Sequence, residues 1–409
     1  MMPLPLQVTR TVPIAAFTLL FAATLSFAQE PVSPQIDSQP DVESLTGATT
    51  EDIVSECASR GTIPLSPYTF NSTKSGTKVT YNGCLVGGDP FSPNPNPVTI
   101  DAVFIPLIIL ITQPDGSVVT FDPTAPDPCD GGFSAENRFK GSPLVIPSPQ
   151  FFNGVYVGVS QYIDGFMSAE FWNATGGSPF YSNPINWSFH SAVAVFPPIP
   201  ATTAIVQGTG TCSEPYRGVI LQGEFSTFMK GLIIPALQSS GVISPKQFAF
   251  FLTKNVVTAK VINFTTTPPT ISGIFGGQHY ATGSPKQTWA RAAYTVGGDV
   301  KTASHEIGEW MNDPLLTKST PLWGHIGEDK TNCASILEVG DPVNGLSMPV
   351  INTSGHDYHV QELAFFSWFY NAQHEGSLGA GGMFSGNGDF TGPAKVCNPL
   401  KPTSGGTYH

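Results

Sequence analysis

The sequence predicts an α+β fold, a mixed and loop-rich sheet with a few helices, and three observations lead to it. Segments typical of strands and of helices follow one another without a regular βαβ alternation, which disfavours a doubly wound parallel sheet. The 42 Gly and 38 Pro among 409 residues indicate many turns and loops. The hydrophobic content of 40%, with 28 Phe, is enough to build a large core, which disordered chains lack.

The first residues have the pattern of a secretory signal peptide. Arg10 precedes an apolar run from Val12 to Phe27, and Ala28 completes a stretch of small residues suited to a signal peptidase. We therefore predict a signal peptide over residues 1–28 and a secreted protein (extracellular, periplasmic or cell-surface) with no stable membrane insertion after its removal. An uncleaved anchor is the alternative, but the run is shorter than the roughly 20 residues of a spanning helix.

Composition changes again after the predicted signal. Residues 29–56 are rich in Pro, Ser, Asp and Gln, which predicts a flexible leader or a short pro-segment. Residues 57–409 are predicted to form a single large α+β domain, with a β-rich part over 57–220 and a second part over 221–409 that carries the motif described below.

Charge and cysteine content narrow the classes of partner and compartment. The net charge of −12, from 18 basic and 30 acidic residues, would repel phosphate backbones, so no nucleic-acid partner is expected. In an oxidising compartment the even number of cysteines permits up to three disulfides whose pairing the sequence leaves open. The six are Cys57, Cys84, Cys129, Cys212, Cys333 and Cys397.

The clearest local element is a hairpin. The apolar run over residues 99–112 and the run over residues 117–122 flank Pro114, Asp115 and Gly116, which suit a tight reversal. Further strands are predicted over residues 151–159, 188–196, 204–207, 250–264 and 288–296. Helices are predicted over residues 160–173, with its aromatic residues in the core, and over 224–234, with Phe225, Phe228, Leu232 and Ile233 buried and Pro235 limiting its end.

The most informative stretch is TWARAAYTVGGDVKTASHEIGEWMNDP, residues 288–314. A strand is predicted to end at Val296, Gly297 and Gly298 interrupt it, Asp299 can cap a following helix, and Pro314 stops that helix.

The string His305-Glu306-Ile307-Gly308-Glu309 then lies in mid-helix. His305 and Glu309 project from one face a turn apart and can hold a divalent cation together. Glu306 points roughly 100° away from His305, close enough to take a proton from an attacking water. Gly308 is costly inside a helix, which indicates a close packing contact or the approach of a metal. An ordinary surface ion pair between His305 and Glu309 is the alternative.

A catalytic zinc ion needs three protein ligands if one position is to stay open. Downstream of the helix, His325, Glu338 and Asp341 are available as the third. Over residues 288–342 the chain resembles the zincin-like secreted metallopeptidases, in which a helical His-Glu-x-x-His or His-Glu-x-x-Glu is followed some tens of residues later by an acidic third ligand.

That resemblance implies His305, Glu309 and Glu338 as zinc ligands and Glu306 as the general base. Asp341 and His325 stay as alternatives to Glu338. The sequence departs from the commoner family pattern at Glu309, and it lacks the extended form, in which Gly and a third His occupy the positions of Asn312 and Leu315. One imidazole with two carboxylates also suits Ca²⁺ or Mn²⁺.

The expected function is therefore a secreted zinc-dependent peptidase, a hydrolase of proteins or peptides. Oxyanion donors could come from His279, Tyr280, His356, Tyr358 or His359, and residues 360–370 are predicted to be buried behind the site. A hydrolase nucleophile elbow and a P-loop are both missing from the sequence, and glycoside hydrolysis is disfavoured because Glu306 and Glu309 share one helical turn. The alternative is a non-catalytic secreted or cell-wall-associated binding protein, with a structural metal or none.

Overall fold

Strands and helices both occur along the chain, which confirms the predicted α+β class. The computed structural model describes residues 57, 62–72, 79–93, 95–177, 181–195, 197–316, 319–324, 334–370, 384–392 and 394. The predicted signal peptide (1–28) and leader (29–56) lie outside the described residues, as do His325, Cys333 and Cys397. Within these ranges, none of the helices combines the length and hydrophobicity that a bilayer crossing needs.

The strands in the described ranges are, in chain order, β1 Leu65–Ser72, β2 Val79–Val86, β3 Ile100–Thr112, β4 Val118–Phe121, β5 Ser148–Phe152, β6 Val155–Ser160, β7 Ile185–Phe189, β8 Val193–Ala194, β9 Ala204–Gln207, β10 Arg217–Leu221, β11 Phe248–Lys254, β12 Val256–Asn263, β13 Thr270–Phe275, β14 Gly277–Thr282, β15 Gln287–Tyr294, β16 Ser319–Trp323, β17 Ala334–Ile336, β18 Val350–Thr353 and β19 His356–His359. The helices are α1 Ala135–Gly141, α2 Tyr162–Glu170, α3 Gln222–Phe228, α4 Ile234–Ser239, α5 Lys301–Asn312 and α6 Phe366–Tyr370. Short 3₁₀ turns cover Pro128–Asp130 and Asp341–Val343.

A seven-stranded mixed sheet forms the centre of the fold, in the order β14-β15-β11-β3-β4, with β7 and β8 also paired to β3. This sheet contains strands from both of the predicted parts of the domain, residues 57–220 and residues 221–409. A four-stranded sheet has the order β13-β12-β10-β9, and four hairpins (β1-β2, β5-β6, β16-β17 and β18-β19) complete the strand pairing of the described residues.

The central strand β3 is almost fully buried, as its apolar sequence requires of a strand covered on both faces. It runs parallel to β11 along one edge and parallel to β7 and then β8 along the other. Pro106 falls between the stretch paired with β7, which ends at Phe104, and the stretch paired with β8, which starts at Leu107. Proline is tolerated there because its missing N–H interrupts no hydrogen bond on that edge.

Helix α5 packs against β14 and β15, and its apolar side chains fix it on the sheet. The Trp310 ring stacks on Phe248 of β11 with their centroids 3.6 Å apart. Ile307 and Met311 are also fully buried. Each such side chain contributes roughly 1.5–3 kcal/mol by leaving water, so packing rather than helix propensity holds α5 in place.

Several predicted elements are confirmed. Strands β3 and β4 pair as an antiparallel hairpin, and α2 lies within the predicted helix with its aromatic residues buried. Strand β15 is followed by α5 after a glycine turn. Residues 360–370 are buried, and Leu363 contacts Gly308, so close packing explains the glycine of the helix.

The predicted cap at Asp299 is wrong, because the helix begins after Val300 without a side-chain cap. Asp299 has a φ of +30°, and its carboxylate accepts hydrogen bonds from the backbone N–H of Val300 and, at 3.0 Å, of His359. The carboxylate thus joins the start of α5 to β19.

Two predicted strands are each divided by an asparagine with positive φ. Residues 151–159 hold the turn between β5 and β6, where Asn153 and Gly154 have φ values of +50° and +76°. Residues 250–264 are divided at Asn255, φ +53°, so that β11 and β12 belong to different sheets. Asparagine tolerates this backbone region better than most residues, and here it ends one strand and redirects the chain.

The predicted helix over residues 224–234 continues to Ser239, so Pro235 does not end it. A π-helical turn over Met229–Ile233 precedes Pro235, which stands in the first turn of α4, where a missing N–H is tolerated. The wider turn also changes which side chain faces the core. Ile233 is buried, whereas Leu232, predicted to be buried, is exposed.

Two disulfides join cysteines of the described residues, Cys57 to Cys84 and Cys129 to Cys212. The second links the 3₁₀ turn before α1 to the loop between β9 and β10. The pairing, which the sequence leaves open, is thereby assigned for four of the six cysteines.

Candidate metal centre

Helix α5 presents three ionisable side chains that are completely shielded from solvent. His305, Glu306 and Glu309 are each 0% exposed. His305 Nε2 lies 3.0 Å from Glu309 Oε1, one helical turn away, as the spacing predicts. The surface ion pair considered as the alternative is wrong, because both side chains lie inside the protein.

The segment after β17 brings two carboxylates to this helix face. Asp341 Oδ1 lies 3.4 Å from His305 Nε2, and Glu338 is buried three residues earlier. The backbone N–H of Gly340 donates to Glu309 Oε1 at 3.2 Å. The carbonyl of Val339 accepts from the N–H of Ala364 at 2.7 Å, so the segment is held from both sides.

Strand β14 at the edge of the large sheet adds a second imidazole. His279 is paired with Ala290 of β15 and is buried. Its Nδ1 lies 3.5 Å from Glu306 Oε2 and 3.6 Å from Glu309 Oε2, while its Nε2 lies 3.9 Å from Glu338 Oε2. Sequence reasoning considered His279 only as an oxyanion donor, and it missed this position among the carboxylates.

The structure places three of the four predicted site residues, His305, Glu306 and Glu309, in two groups of converging ligand atoms, and it leaves the predicted third ligand Glu338 outside both groups. His305, Glu309 and Asp341 offer ligand atoms within 4.8 Å of one another, and so do His279, Glu306 and Glu309. Asp341, the alternative third ligand, therefore shares a group with His305 and Glu309. Glu338 lies on the far side of His279.

The other proposed donors have different surroundings. The Nδ1 atom of His359 contacts Asp299 at 3.0 Å, and the His356 ring packs against Tyr358, which lies near Gly141. Tyr280 follows His279 on the strand and packs on Trp289, because successive side chains of a strand face opposite sides.

Two glycines allow the backbone to approach the cluster. A Cβ atom on Gly277 would lie 2.2 Å from Glu306 Oε1, and one on Gly340 would lie 2.4 Å from His305 Nδ1. Gly340 has a φ of −85°, which any residue adopts, so the requirement there is for space alone. Backbone at Gly340 thus lies against the His305 ring, and backbone at Gly277 lies against the Glu306 carboxylate.

Burial and mutual repulsion shift the protonation equilibria of the carboxyl groups. Burial, reinforced by Glu309 and Asp341, raises the pKa of Glu338 well above its ordinary value. Burial also raises the pKa of Glu306. Burial acts in the same direction on Glu309, but the His305 imidazole beside it lowers its pKa overall.

The imidazoles respond to the same negative field. Although burial alone would lower it, the carboxylates of Glu309 and Asp341 hold the pKa of His305 well above its ordinary value. For His279, the effect of burial is exceeded by the carboxylates of Glu306 and Glu309, and its pKa is also raised. Because the carboxylates raise the pKa of both histidines, the cluster favours the binding of positive charge.

Arg291 is a further buried cation that sequence reasoning missed, although a single arginine in the apolar strand TWARAAY was a signal. Its guanidinium donates to Thr258 Oγ1 at 3.2 Å and to the carbonyls of Val256 and Gly276 at 3.4 Å. Burial lowers its pKa to about 10, against the attraction of Glu306. It remains charged at neutral pH and places a fixed positive charge near Glu306.

The polar atoms of the cluster fit a divalent cation. Neither nitrogen of His279 and neither carboxylate oxygen of Glu306 or Glu338 makes a hydrogen bond with any described residue. Leaving buried polar or charged atoms without a partner costs several kcal/mol, roughly 1–3 for each hydrogen-bonding group and more for a charge. A cation bound by imidazole and carboxylate atoms would remove that cost.

Comparisons of this chain with models of protein families, with curated proteins and with solved structures found no match. Its function is therefore inferred from the residues themselves.

If the cluster binds zinc, replacing Gly340 by Ala is expected to weaken that binding at least tenfold. The added methyl group would occupy the space of the His305 ring and displace it from Glu309 and Asp341. Competition with a chromogenic zinc chelator measures the affinity. Gly223→Ala is the matched control, because a Cβ there meets nothing within 4 Å. Equal affinities of the two variants would contradict the placement of His305 in the centre.

Proposed function

We propose that this protein is a secreted zinc-dependent peptidase in which Glu306 acts as the general base. The observation that carries the proposal is the burial of Glu306 and the lack of hydrogen bonds to its carboxylate from the described residues. Its carboxylate is fully buried beside His305 and Glu309, and neither of its oxygens makes a hydrogen bond with a described residue. Burial raises the pKa of this carboxylate, which makes it a stronger proton acceptor than an exposed glutamate.

The ligand set supports zinc more than calcium. His305 and Glu309 would hold the ion, with Asp341 or Glu338 as the third ligand and His279 within reach. Calcium prefers oxygen ligands alone, whereas two imidazoles among carboxylates suit zinc, and manganese less well. A bound zinc ion would supply Lewis acidity, which polarises a peptide carbonyl and makes a nearby water more acidic.

The protein groups would then move one proton twice. Glu306 takes a proton from the attacking water as the C–O bond forms and returns it to the amide nitrogen as the C–N bond breaks, which leaves a carboxylic acid and an amine; the acid then loses its remaining proton to solvent or to the amine. His279, 3.5 Å from Glu306 Oε2, keeps the carboxylate directed to the cluster. Arg291 stabilises the negative charge of Glu306 before the proton is taken up.

The compartment and partner class follow from the composition. Two disulfides among the described residues support an oxidising, extracellular or periplasmic setting. The net charge of −12 disfavours nucleic acid, so a protein or peptide is the proposed substrate.

The second candidate function is that of a binding protein in which the cation serves only to stabilise the fold. The complete burial of His305, Glu306 and Glu309 favours it, since a catalytic centre has to meet its substrate. The ion would then fasten residues 338–341 to α5 and to the edge strand β14, in a secreted binding protein without hydrolytic activity.

Replacing Glu306 by Gln separates the two candidates. If the protein is a peptidase, Glu306→Gln is expected to lower the hydrolysis of casein at least 100-fold, while the variant still binds at least one equivalent of zinc. The amide keeps the shape of the side chain but cannot accept the proton. Fluorescent casein release and elemental analysis of the same samples measure the two quantities.

Glu224→Gln, an exposed glutamate on α3, is the control and should keep wild-type activity. Zinc-loaded wild-type protein that hydrolyses neither casein nor a mixture of unstructured peptides would favour the structural candidate. Unchanged activity of Glu306→Gln would refute the role of the general base.

A further inference from the structure

The two carboxylate oxygens of Glu309 face different imidazoles. Oε1 lies 3.0 Å from His305 Nε2, and Oε2 lies 3.6 Å from His279 Nδ1. The two histidines come from different elements, α5 and β14, on either side of this carboxylate. A carboxylate that offers one oxygen to each side can bridge two cations, an arrangement that hydrolases with paired metals use.

Each side has its own set of three ligands. His305 and Asp341 accompany Glu309 on one side, and His279 and Glu306 accompany it on the other. Around a tetrahedral ion with bonds of about 2.0–2.2 Å, neighbouring ligand atoms are roughly 3.3–3.6 Å apart. On the first side, His305 Nε2 lies 3.0 Å from the Glu309 oxygen and 3.4 Å from the Asp341 oxygen. On the second side, His279 Nδ1 lies 3.5 Å from the Glu306 oxygen and 3.6 Å from the Glu309 oxygen. Both sides therefore have the spacing of a bound ion.

Charge balance also favours two ions. The cluster contains four buried carboxylates, Glu306, Glu309, Glu338 and Asp341, and two imidazoles. Histidine binds metal in its neutral form, and the nearby buried Arg291 and Asp313 offset each other in charge. With all four carboxyl groups ionised, one divalent cation would therefore leave two negative charges in a region without solvent. Two divalent cations would balance all four carboxylates, and they would give partners to the unsatisfied atoms of His279 and Glu306.

We propose that the centre holds two divalent cations bridged by Glu309, the first with His305 and Asp341 and the second with His279 and Glu306. The assignment of the first ion rests on the proposed function, and the second ion is an addition to that function. Glu306 would face the second ion through Oε2, which leaves Oε1 to accept the proton. Glu338, 3.9 Å from His279 Nε2, completes the negative field on the second side.

Manganese provides a direct test on the wild-type protein. Metal-free protein is titrated with Mn²⁺, separated from free metal by gel filtration and analysed for metal content and by electron paramagnetic resonance. Two ions bridged by one carboxylate give two equivalents per chain and an exchange-coupled, many-line spectrum. One equivalent with an isolated six-line spectrum would overturn the proposal, whatever the activity of the protein.

Two variants assign the ions. His279→Asn and Asp341→Asn should each lower the manganese content from two equivalents to one and replace the coupled spectrum by an isolated one. His190→Asn is the matched control, because this imidazole contacts only the backbone of its neighbour Ser191 among the contacts described for it, and it should keep two equivalents. If a variant does not fold, as judged by circular dichroism, the wild-type measurement alone decides.

The failure of this inference and that of the proposed function are distinguishable. Two coupled ions in a protein without hydrolytic activity would support the paired site and refute the peptidase. One ion with hydrolysis that depends on Glu306 would support the peptidase and refute the paired site.

Discussion

Replacing Glu309 by Gln is expected to abolish the stabilisation that the proposed zinc ion would give this protein. Glu309 contacts both imidazoles and accepts a hydrogen bond from Gly340, so its charge lies at the middle of the cluster. A ligand present at a thousandfold excess over its dissociation constant stabilises the folded state by about 4 kcal/mol. The wild-type protein should show a gain of that order, and Glu309→Gln almost none.

Urea unfolding gives the free energy of unfolding of each protein with zinc and with a chelator. The gain from zinc in Glu309→Gln is then compared with the gain in the wild type. Comparing each protein with itself removes the change in stability that the substitution causes without metal. Glu224→Gln on α3 should behave as the wild type. An equal gain from zinc in Glu309→Gln would show that the ion binds elsewhere.

The second large effect concerns Glu362, which lies outside the metal centre. Its Oε1 accepts from the N–H of Asn387 at 2.8 Å, and its Oε2 accepts from the hydroxyl of Ser347 at 3.0 Å. The same hydroxyl lies 2.7 Å from Asp389 Oδ2, so the two carboxyl groups share its single proton. Burial, together with the hydrogen bond to Asp389, raises the pKa of Glu362 to about 7.

This shift makes stability depend on pH. Because the folded protein holds the proton of Glu362 more tightly than the unfolded chain, the contribution is complete below the ordinary pKa of 4.5 and is lost as the pH rises through about 7. Glu362→Gln stays neutral. It should therefore gain roughly 2–3 kcal/mol over the wild type between pH 5 and pH 8.

Urea unfolding at several pH values, in the presence of chelator, measures that gain as the difference between Glu362→Gln and the wild type. The difference removes the titration of the carboxyl groups that do not contact Glu362, and it reports on Glu362 together with its hydrogen-bonded partner Asp389. Glu224→Gln serves as the control and should follow the wild-type profile. Parallel profiles for Glu362→Gln and the wild type would rule out a raised pKa at this position.

Local patterns predicted those elements whose boundaries are set by neighbouring residues. The β3–β4 hairpin depends on Pro114, Asp115 and Gly116, and helix α5 depends on the glycine turn before it and on Pro314 after it. His305, Glu306 and Glu309 share this helix, so their spacing was enough to place them. Glu338 and Asp341 were also identified, but their distances from the helix depend on chain folding beyond any local pattern.

Elements that depend on a single unusual backbone angle were missed. Asn255 separates two segments that the sequence pattern predicts as one strand, and the π-turn at Met229–Ile233 leaves Leu232 exposed, while Ile233 is buried as predicted. Both are changes of one residue in register, which hydrophobic periodicity over a longer window cannot resolve.

His279 was the main omission in the site. It reaches the cluster because β14 pairs with β15 and α5 packs on both strands. The Gly283-Ser284-Pro285 stretch between two strand-like segments was the signal for this hairpin. Its register, which sets His279 opposite Ala290, follows from pairing rather than from residue type.

The position of β3 has a consequence for how the chain reaches this state. The strand enters the sheet early in the sequence, yet it pairs Ala102 with Phe248. Closing so long a loop is slow, and folds dominated by distant pairings take milliseconds to seconds or longer. Until then an unpaired strand rich in Ile, Leu and Phe is open to other chains, so recombinant production should benefit from low temperature, slow synthesis and dilute refolding.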